Sequence, residues 1–101
     1  MSDRILATGS VLGTGSALNV TTCGFRPRKV KLWNVASGGL CTFEWNKEMP
    51  DASAFKEQNH ASAQRSFITS NGITPLANGF TIGADTDMNV AGERVYFEAH
   101  D

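Results

Sequence analysis

The sequence has few of the residues that most chemical sites require. It contains two cysteines and two histidines, and it lacks a CxxC pair or the Cys/His spacing of a zinc site. His60 and His100 stand outside any nucleophile or metal motif, and neither GxSxG nor HExxH occurs. We therefore predict no catalytic residue, no cofactor and no metal ion, and a protein that is not an enzyme. Cys23 and Cys41 could pair across strands, but free thiols are the favoured prediction for a protein made in the cytoplasm.

Blocks of like charge and long apolar runs are also missing. Nine basic and ten acidic residues give a formal net charge of −1 and are spread along the chain. The mild basic group Arg26, Arg28, Lys29 and Lys31 fits a strand edge protected by charge better than a phosphate-binding surface. The apolar runs are far too short to span a membrane, and no secretory signal is visible in residues 1–12. These features argue against nucleic-acid and membrane partners and predict synthesis in the cytoplasm.

Alternation of apolar and polar residues dominates the remaining sequence. In RKVKLWNV the side chains of Val30 and Leu32 fall on one face and that of Trp33 on the other. The same period places Trp45, in LCTFEWNK, and Phe97, in ERVYFEAH, on apolar faces. Together with 41% apolar content, this pattern predicts an all-β domain of about five to seven short antiparallel strands. We expect a small β-sandwich or a flattened barrel.

Glycine and asparagine mark the predicted connections. Ser37-Gly38-Gly39 indicates a hairpin turn, and Asn71-Gly72 a second turn. Residues Met49–Ala63, which include Phe55 and His60, are predicted to be a loop with at most two turns of helix.

The first sixteen residues are rich in glycine and serine, and they repeat Thr-Gly-Ser at 8–10 and 14–16. We predict an extended N-terminal arm over residues 1–16, with at most one short strand near Ser10–Leu12, ahead of a β-sandwich domain over residues 17–101. Glycines leave the apolar side chains of the arm without regular local structure, so we expect them to be buried against another protein chain. Trp33, on the polar face of its strand, is a further candidate contact. The predicted assembly interface is Ile5, Leu6, Val11, Leu12 and Trp33.

Asp85, Asp87 and Asn89 alternate like the first ligands of a calcium loop. The loop's glycine is replaced by Val90, and its terminal bidentate acid by Tyr96. A different calcium site that uses Glu93 is conceivable. Asp and Asn also favour turns by bonding to their own backbone, and we predict a turn here without a metal.

Four segments occur in an order that resembles a group of small bacteriophage virion proteins: GFRPRKVKLWN, FEWNKEMPDASAFK, FITSNGITP and GFTIGADTDMNVAGERVYFEAH. The resemblance covers most of the chain, but its motifs are turn and strand residues, so they specify a fold better than a task. It implies a capsid decoration (cement) protein that binds the major capsid protein and stabilises the shell. The expected state is a homotrimer on the capsid surface of the virion, made in the host cytoplasm. The alternative is a tail-fibre or tail-tip receptor-binding module.

Overall fold

A computed structural model describes residues 6–36, 41–58 and 65–101 of the chain. These ranges contain eight strands and no helix. In chain order the strands are β1 (Leu6–Leu12), β2 (Leu18–Val20), β3 (Lys29–Asn34), β4 (Cys41–Asn46), β5 (Ser53–Gln58), β6 (Arg65–Leu76), β7 (Gly79–Ile82) and β8 (Arg94–His100). The described part of the chain contains no helix with the length and apolar character needed to span a membrane.

All eight strands belong to one antiparallel sheet with the order β1-β8-β3-β4-β5-β6-β7-β2. The sheet curls into a nearly closed barrel, so the all-β prediction is confirmed. The sandwich and the strand count of the prediction are not confirmed. A sandwich needs two separate sheets, whereas the twelve-residue strand β6 pairs with β5 along its first part and with β7 along its last part. This shared strand keeps the sheet continuous as it bends.

The bend in β6 lies at residues 69–72. Ala54 pairs with Ile68, and the adjacent Ser53 pairs with Ile73, so four residues of β6 lie outside the β5 ladder. Asn71 has a φ of 61°, a left-handed conformation that asparagine tolerates better than most residues. Gly72 passes so close to β5 that an added Cβ would lie 2.3 Å from the Ser53 carbonyl oxygen. Asn71-Gly72 is therefore a bulge inside one strand, and the prediction of a turn between two strands is wrong.

The barrel interior contains the apolar side chains that alternation predicted. Val30 and Leu32 are fully buried, and Trp45 and Phe97 are 2% and 6% exposed. Phe97 meets Phe80 edge to face, with ring centroids 5.4 Å apart and planes at 74°. The other buried apolar side chains among the described residues are Val20, Cys41, Phe43, Ala54, Ile73, Ile82, Met88, Val95 and Ala99.

The predicted loop over residues 49–63 contains a strand, β5, so the prediction of a loop is wrong over Ser53–Gln58. Ser53–Gln58 pairs with β4 on one side and β6 on the other, and these long-range ladders override the weak local helical spacing. Phe55 consequently points outward, and Lys56 points into the barrel. His60 and the predicted Ser37-Gly38-Gly39 turn lie outside the described residues.

The predicted N-terminal arm is corrected over residues 6–12, which form β1. All seven residues of β1 pair with β8, from Leu6 opposite His100 to Leu12 opposite Arg94. Gly9 lies above the Phe97 ring, where an added Cβ would be 2.9 Å from a ring atom. Glycine at this position therefore leaves room for the core aromatic ring.

Replacing Phe97 by alanine should destabilise the domain by about 3–5 kcal/mol, because it removes a buried ring and leaves a cavity against Phe80. Tyr96, the next residue along β8, is 46% exposed and provides the matched control. Tyr96→Ala should cost less than about 1 kcal/mol. Urea unfolding of both variants gives the two free energies, and equal costs would show that β8 has been assigned the wrong inward face.

Candidate functional site

The loop of residues 83–93, between β7 and β8, closes one end of the barrel. Met88 from this loop is fully buried in the hydrophobic core. The ends of β1, β3 and β7 and the start of β8 lie at the same end, because neighbouring strands of the sheet are antiparallel. Polar side chains from several strands therefore converge on the loop.

Lys56 is the centre of this polar cluster. Its ammonium nitrogen lies 3.0 Å from Asp85 Oδ2 and 2.6 Å from Asp87 Oδ2. The side chains of Lys56, Asp85 and Asp87 are only 11%, 10% and 17% exposed. One cation thus pairs with two nearly buried carboxylates, and these ion pairs join β5 to the β7–β8 loop.

Asp85 also holds the turn that follows it. Its Oδ1 accepts hydrogen bonds from the backbone N–H groups of Asp87, at 2.8 Å, and Met88, at 3.0 Å. The two oxygens of one carboxylate therefore have separate tasks, since Oδ1 bonds the turn and Oδ2 bonds Lys56. The prediction that this aspartate stabilises a turn through its own backbone is confirmed.

Asn89 and Asn34 attach the loop to other strands. Asn89 Oδ1 accepts from the N–H of Thr14 at 2.8 Å, and its Nδ2 donates to the carbonyls of Ser16 and Gly83 at 2.7 and 3.0 Å. Asn34, at the end of β3, donates from Nδ2 to the Met88 carbonyl at 3.1 Å and to a Glu93 carboxylate oxygen at 3.0 Å. The loop is thereby bonded to the chain that follows β1, to the end of β7 and to β3.

The Cys41 thiol next to this cluster has low reactivity. Cys41 is buried, and both Cys41 and Cys23 are free thiols. Burial, together with the charges of Asp85 and Asp87, raises the pKa of Cys41 to about 12 against the opposing effect of Lys56. Because the thiolate is the reactive form of cysteine, a thiol with this pKa is a poor nucleophile at neutral pH.

Lys56 keeps its charge in this setting. Burial by itself lowers the pKa of a lysine, but the hydrogen bonds and charges of Asp87 and Asp85 outweigh burial and raise the pKa of Lys56 above its usual value. Lys56 therefore stays protonated at neutral pH, and its ion pairs with Asp85 and Asp87 act as a structural clamp.

The three residues of the calcium-like pattern point to different partners. Asp85 and Asp87 face Lys56, whereas the Asn89 amide is bonded to residues 14–16 and Gly83. Across the described ranges, no group of three or more His, Cys, Asp or Glu side chains is placed to hold a metal ion. A calcium ion at Asp85 and Asp87 would have to displace the lysine ammonium.

The outer face of the sheet contains the other set of candidate residues. Ser10, Tyr96 and Trp33 are aligned across β1, β8 and β3, so their side chains point to the same outer surface. Lys31 lies with its ammonium nitrogen 5.5 Å from the centre of the Trp33 ring. Leu6 and Leu12, at the two ends of β1, are 54% and 50% exposed on this face.

The predicted interface residues are only partly brought together. Leu6, Leu12 and Trp33 share the outer face, whereas Val11 is partly buried and packs against the core of its own chain. Ile5 lies outside the described residues. The alternation that placed Phe97 inward also implied that Tyr96 points outward, yet it gave no reason to single out Tyr96 as a contact.

A second apolar surface is the cross-strand pair Phe55 and Phe67. These residues are direct partners on β5 and β6, and they are 38% and 52% exposed on the outside of the barrel. Sequence reasoning missed this pair because Phe55 was assigned to a loop, and the register that joins it to Phe67 is a long-range feature.

Substitutions at Asp85 should separate the stability contributed by its ion pair with Lys56 from the stability contributed by its hydrogen bonds to the turn. Asp85→Asn keeps an acceptor oxygen for the turn but removes the charge opposite Lys56, whereas Asp85→Ala removes both. We expect Asp85→Ala to destabilise the protein by about 2–4 kcal/mol and Asp85→Asn by about half as much. Chemical denaturation measures both, and an Asp85→Ala protein as stable as the wild type would rule out the clamp.

Calcium should not stabilise the protein, because the Lys56 ammonium already occupies the position between the Asp85 and Asp87 carboxylates. Thermal melts in EDTA and in calcium at about millimolar concentration should coincide. A rise in Tm of more than about 5 °C, equivalent to roughly 1 kcal/mol for a domain of this size, would show that the loop binds the ion.

Comparison of this chain with protein-family models, with curated proteins and with solved structures finds no match in any of the three.

Proposed function

We propose that this chain is a structural protein of a bacteriophage virion, and specifically a capsid decoration (cement) protein that binds the major capsid protein and stabilises the shell. The observation that carries the proposal is the placement of large apolar side chains on the outside of the barrel. It adds to the resemblance of the sequence to small virion proteins. The protein would be made in the host cytoplasm and then bind to the capsid surface.

The outward-facing aromatic residues are arranged in groups. Phe55 and Phe67 form one pair of adjacent rings, while Tyr96 and Trp33 form another on the far side of β4. A single exposed apolar residue is ordinary on a protein surface, but adjacent aromatic rings are typical of protein–protein contacts. Removing such rings from water contributes about 25 cal/mol per Å² of apolar surface buried.

The polar groups inside the barrel support the same proposal. Lys56, Asp85 and Asn89 are committed to one another or to the backbone, and the Cys41 thiol is held in its unreactive form. These groups fix the shape of the barrel. A rigid barrel with apolar groups on its outside is suited to binding a protein surface.

Capsid binding tests the proposal. The double variant Phe55→Ser, Phe67→Ser should bind more weakly, by about tenfold or more, to capsids that lack this protein, because it removes two exposed aromatic rings from the contact surface. Val35→Ser is the control, since Val35 is 54% exposed and lies outside both aromatic pairs. Co-sedimentation measures binding, and circular dichroism verifies that each variant is folded. Equal binding by the double variant and the wild type would exclude the phenylalanine pair from the interface.

A tail-associated receptor-binding module is the second candidate function. It is favoured by the neighbouring rings of Trp33 and Tyr96, which have Lys31 and Glu98 beside them on the same face. Aromatic rings flanked by charged side chains are suited to stacking on a sugar and hydrogen bonding to its hydroxyls. The number of copies in purified virions discriminates the two functions. A number comparable to that of the major capsid protein supports decoration, and a small fraction of it supports the tail.

A further inference from the structure

We propose that β1 is a self-pairing edge strand, through which two copies of this chain join antiparallel about a two-fold axis at Gly9. The two barrels would then share one continuous sheet. This inference does not depend on the virion role, because it rests only on the geometry and the sequence of β1.

β1 is a free edge of the sheet. It is bonded to β8 on one side, and it stands at the end of the strand order. The opposite end of the order is β2, which is three residues long and pairs with β7. β1 and β2 share no ladder in the described part of the chain, so a row of β1 backbone groups has no strand partner there.

This edge lacks the features that normally prevent pairing between molecules. Exposed edges are usually protected by charged side chains, prolines, bulges or short length. β1 has seven residues, LATGSVL, with no charged residue and no proline, and its register with β8 is unbroken from Leu6 to Leu12. It is the kind of edge onto which another strand can add.

The hydrogen-bond pattern shows which residues present their backbone groups to the free side. The N–H of Gly13 donates to the Glu93 carbonyl at 2.7 Å, in continuation of the β1–β8 register. Hydrogen-bonded pairs alternate along an antiparallel ladder, so Val11, Gly9 and Ala7 also direct their backbone groups toward β8. The N–H and C=O groups of Leu6, Thr8, Ser10 and Leu12 therefore point away from the sheet.

The sequence of β1 is nearly symmetric about Gly9. Reading outward from Gly9, the residues on the two sides are Thr8 and Ser10, then Ala7 and Val11, then Leu6 and Leu12. In an antiparallel pair centred on Gly9, Leu6 is opposite Leu12 of the second copy, and Thr8 is opposite Ser10 of the second copy. Leucine thus meets leucine at both ends of the seam, and hydroxyl meets hydroxyl between them.

This register also satisfies the backbone. It joins residues whose N–H and C=O groups both point to the free side, so every one of these pairs is a hydrogen-bonded pair. Four such pairs supply about eight hydrogen bonds across the seam. A shift of the register by one residue would place outward groups opposite inward groups, and these hydrogen bonds would be lost.

Few charged side chains of the described residues lie near the seam. β1 itself carries none, and Arg94 and Glu98 lie on β8. Arg94 reaches toward the edge strand, where its Nη1 donates to Ser10 Oγ at 3.3 Å, so each copy places one guanidinium beside the seam. The exposed Leu6 and Leu12 side chains cover each other where the two copies meet.

Two-fold pairing of an edge closes at two copies, because each molecule uses the same surface. The prediction is therefore a dimer, and not the homotrimer implied by the sequence resemblance. A trimer would require a different contact.

Paired charges at positions 8 and 10 test both the association and its register. In the double variant Thr8→Lys, Ser10→Lys, each lysine is opposite a lysine of the second copy. In the matched variant Thr8→Lys, Ser10→Glu, each lysine is opposite a glutamate. Both variants place two charges on exposed positions of β1 and share the same change at Thr8, so they differ in the sign of one charge.

Sedimentation equilibrium gives the mass of each protein, and circular dichroism verifies the fold. We expect a dimer of the 10.9 kDa chain for the wild type and for the Lys/Glu variant. The Lys/Lys variant should be folded but should have a dimer dissociation constant raised about tenfold or more, since like charges directly opposite each other are destabilising.

Several outcomes would overturn the proposal. A wild-type protein that is monomeric at about 0.1 mM excludes a functional self-pairing edge. A wild-type trimer places the contact elsewhere. A Lys/Lys variant that dimerises as well as the Lys/Glu variant shows that positions 8 and 10 do not face each other. A folded Lys/Glu variant whose dimer dissociation constant is as high as that of the Lys/Lys variant excludes the register centred on Gly9.

Discussion

The fold depends on a lysine ammonium inside a β-barrel. Lys56 points inward from β5 because alternation leaves Phe55 outside, and a buried cation without a partner would cost several kcal/mol. Asp85 and Asp87 supply the compensating charge, and the β7–β8 loop that contains them must therefore lie across the barrel end. Once the loop lies there, Met88 fills the core beneath it. The ion pairs determine where the loop sits, and apolar packing adds the stabilisation.

The position of the loop in turn fixes the strands on either side of it. β8 begins directly after the loop and is hydrogen-bonded to both β1 and β3, so a loop in a different position would displace all three strands. Asn89 bonds the segment that follows β1, and Asn34 bonds the loop from the end of β3. These side chains replace backbone ladders at the barrel end, where the strands stop and their carbonyl and N–H groups need partners. Such a network favours one arrangement of the barrel end over others because each member has a specific partner.

Sequence alone predicted the parts of this fold in which one strand face is uniformly apolar. β3, β4 and β8 each alternate without interruption, and the positions of Leu32, Trp45 and Phe97 follow from a period of two. β5 escaped prediction because its buried side chains are Ser53, Ala54 and Lys56, which are small or charged. The reason that Lys56 is buried lies 29 and 31 residues later, at Asp85 and Asp87, and no local pattern reports such a pairing. The turn at Asp85 was predictable because its hydrogen bonds are local.

A charged cluster lies inside the apolar barrel and several apolar side chains lie outside it, and both bear on how the protein makes contacts. Outward residues such as Phe67 and Leu12 contribute little to the core, so folding alone gives no reason for them to be apolar. The same reasoning applies to β1, whose sequence has none of the charges that would keep an edge soluble. An unprotected edge at both ends of a sheet would polymerise, because each added copy would present a new edge. Here the other end, β2, is only three residues long, so it offers another copy few backbone groups to pair with. Pairing through β1 consumes the one long edge of each copy, and growth of the sheet stops at two molecules.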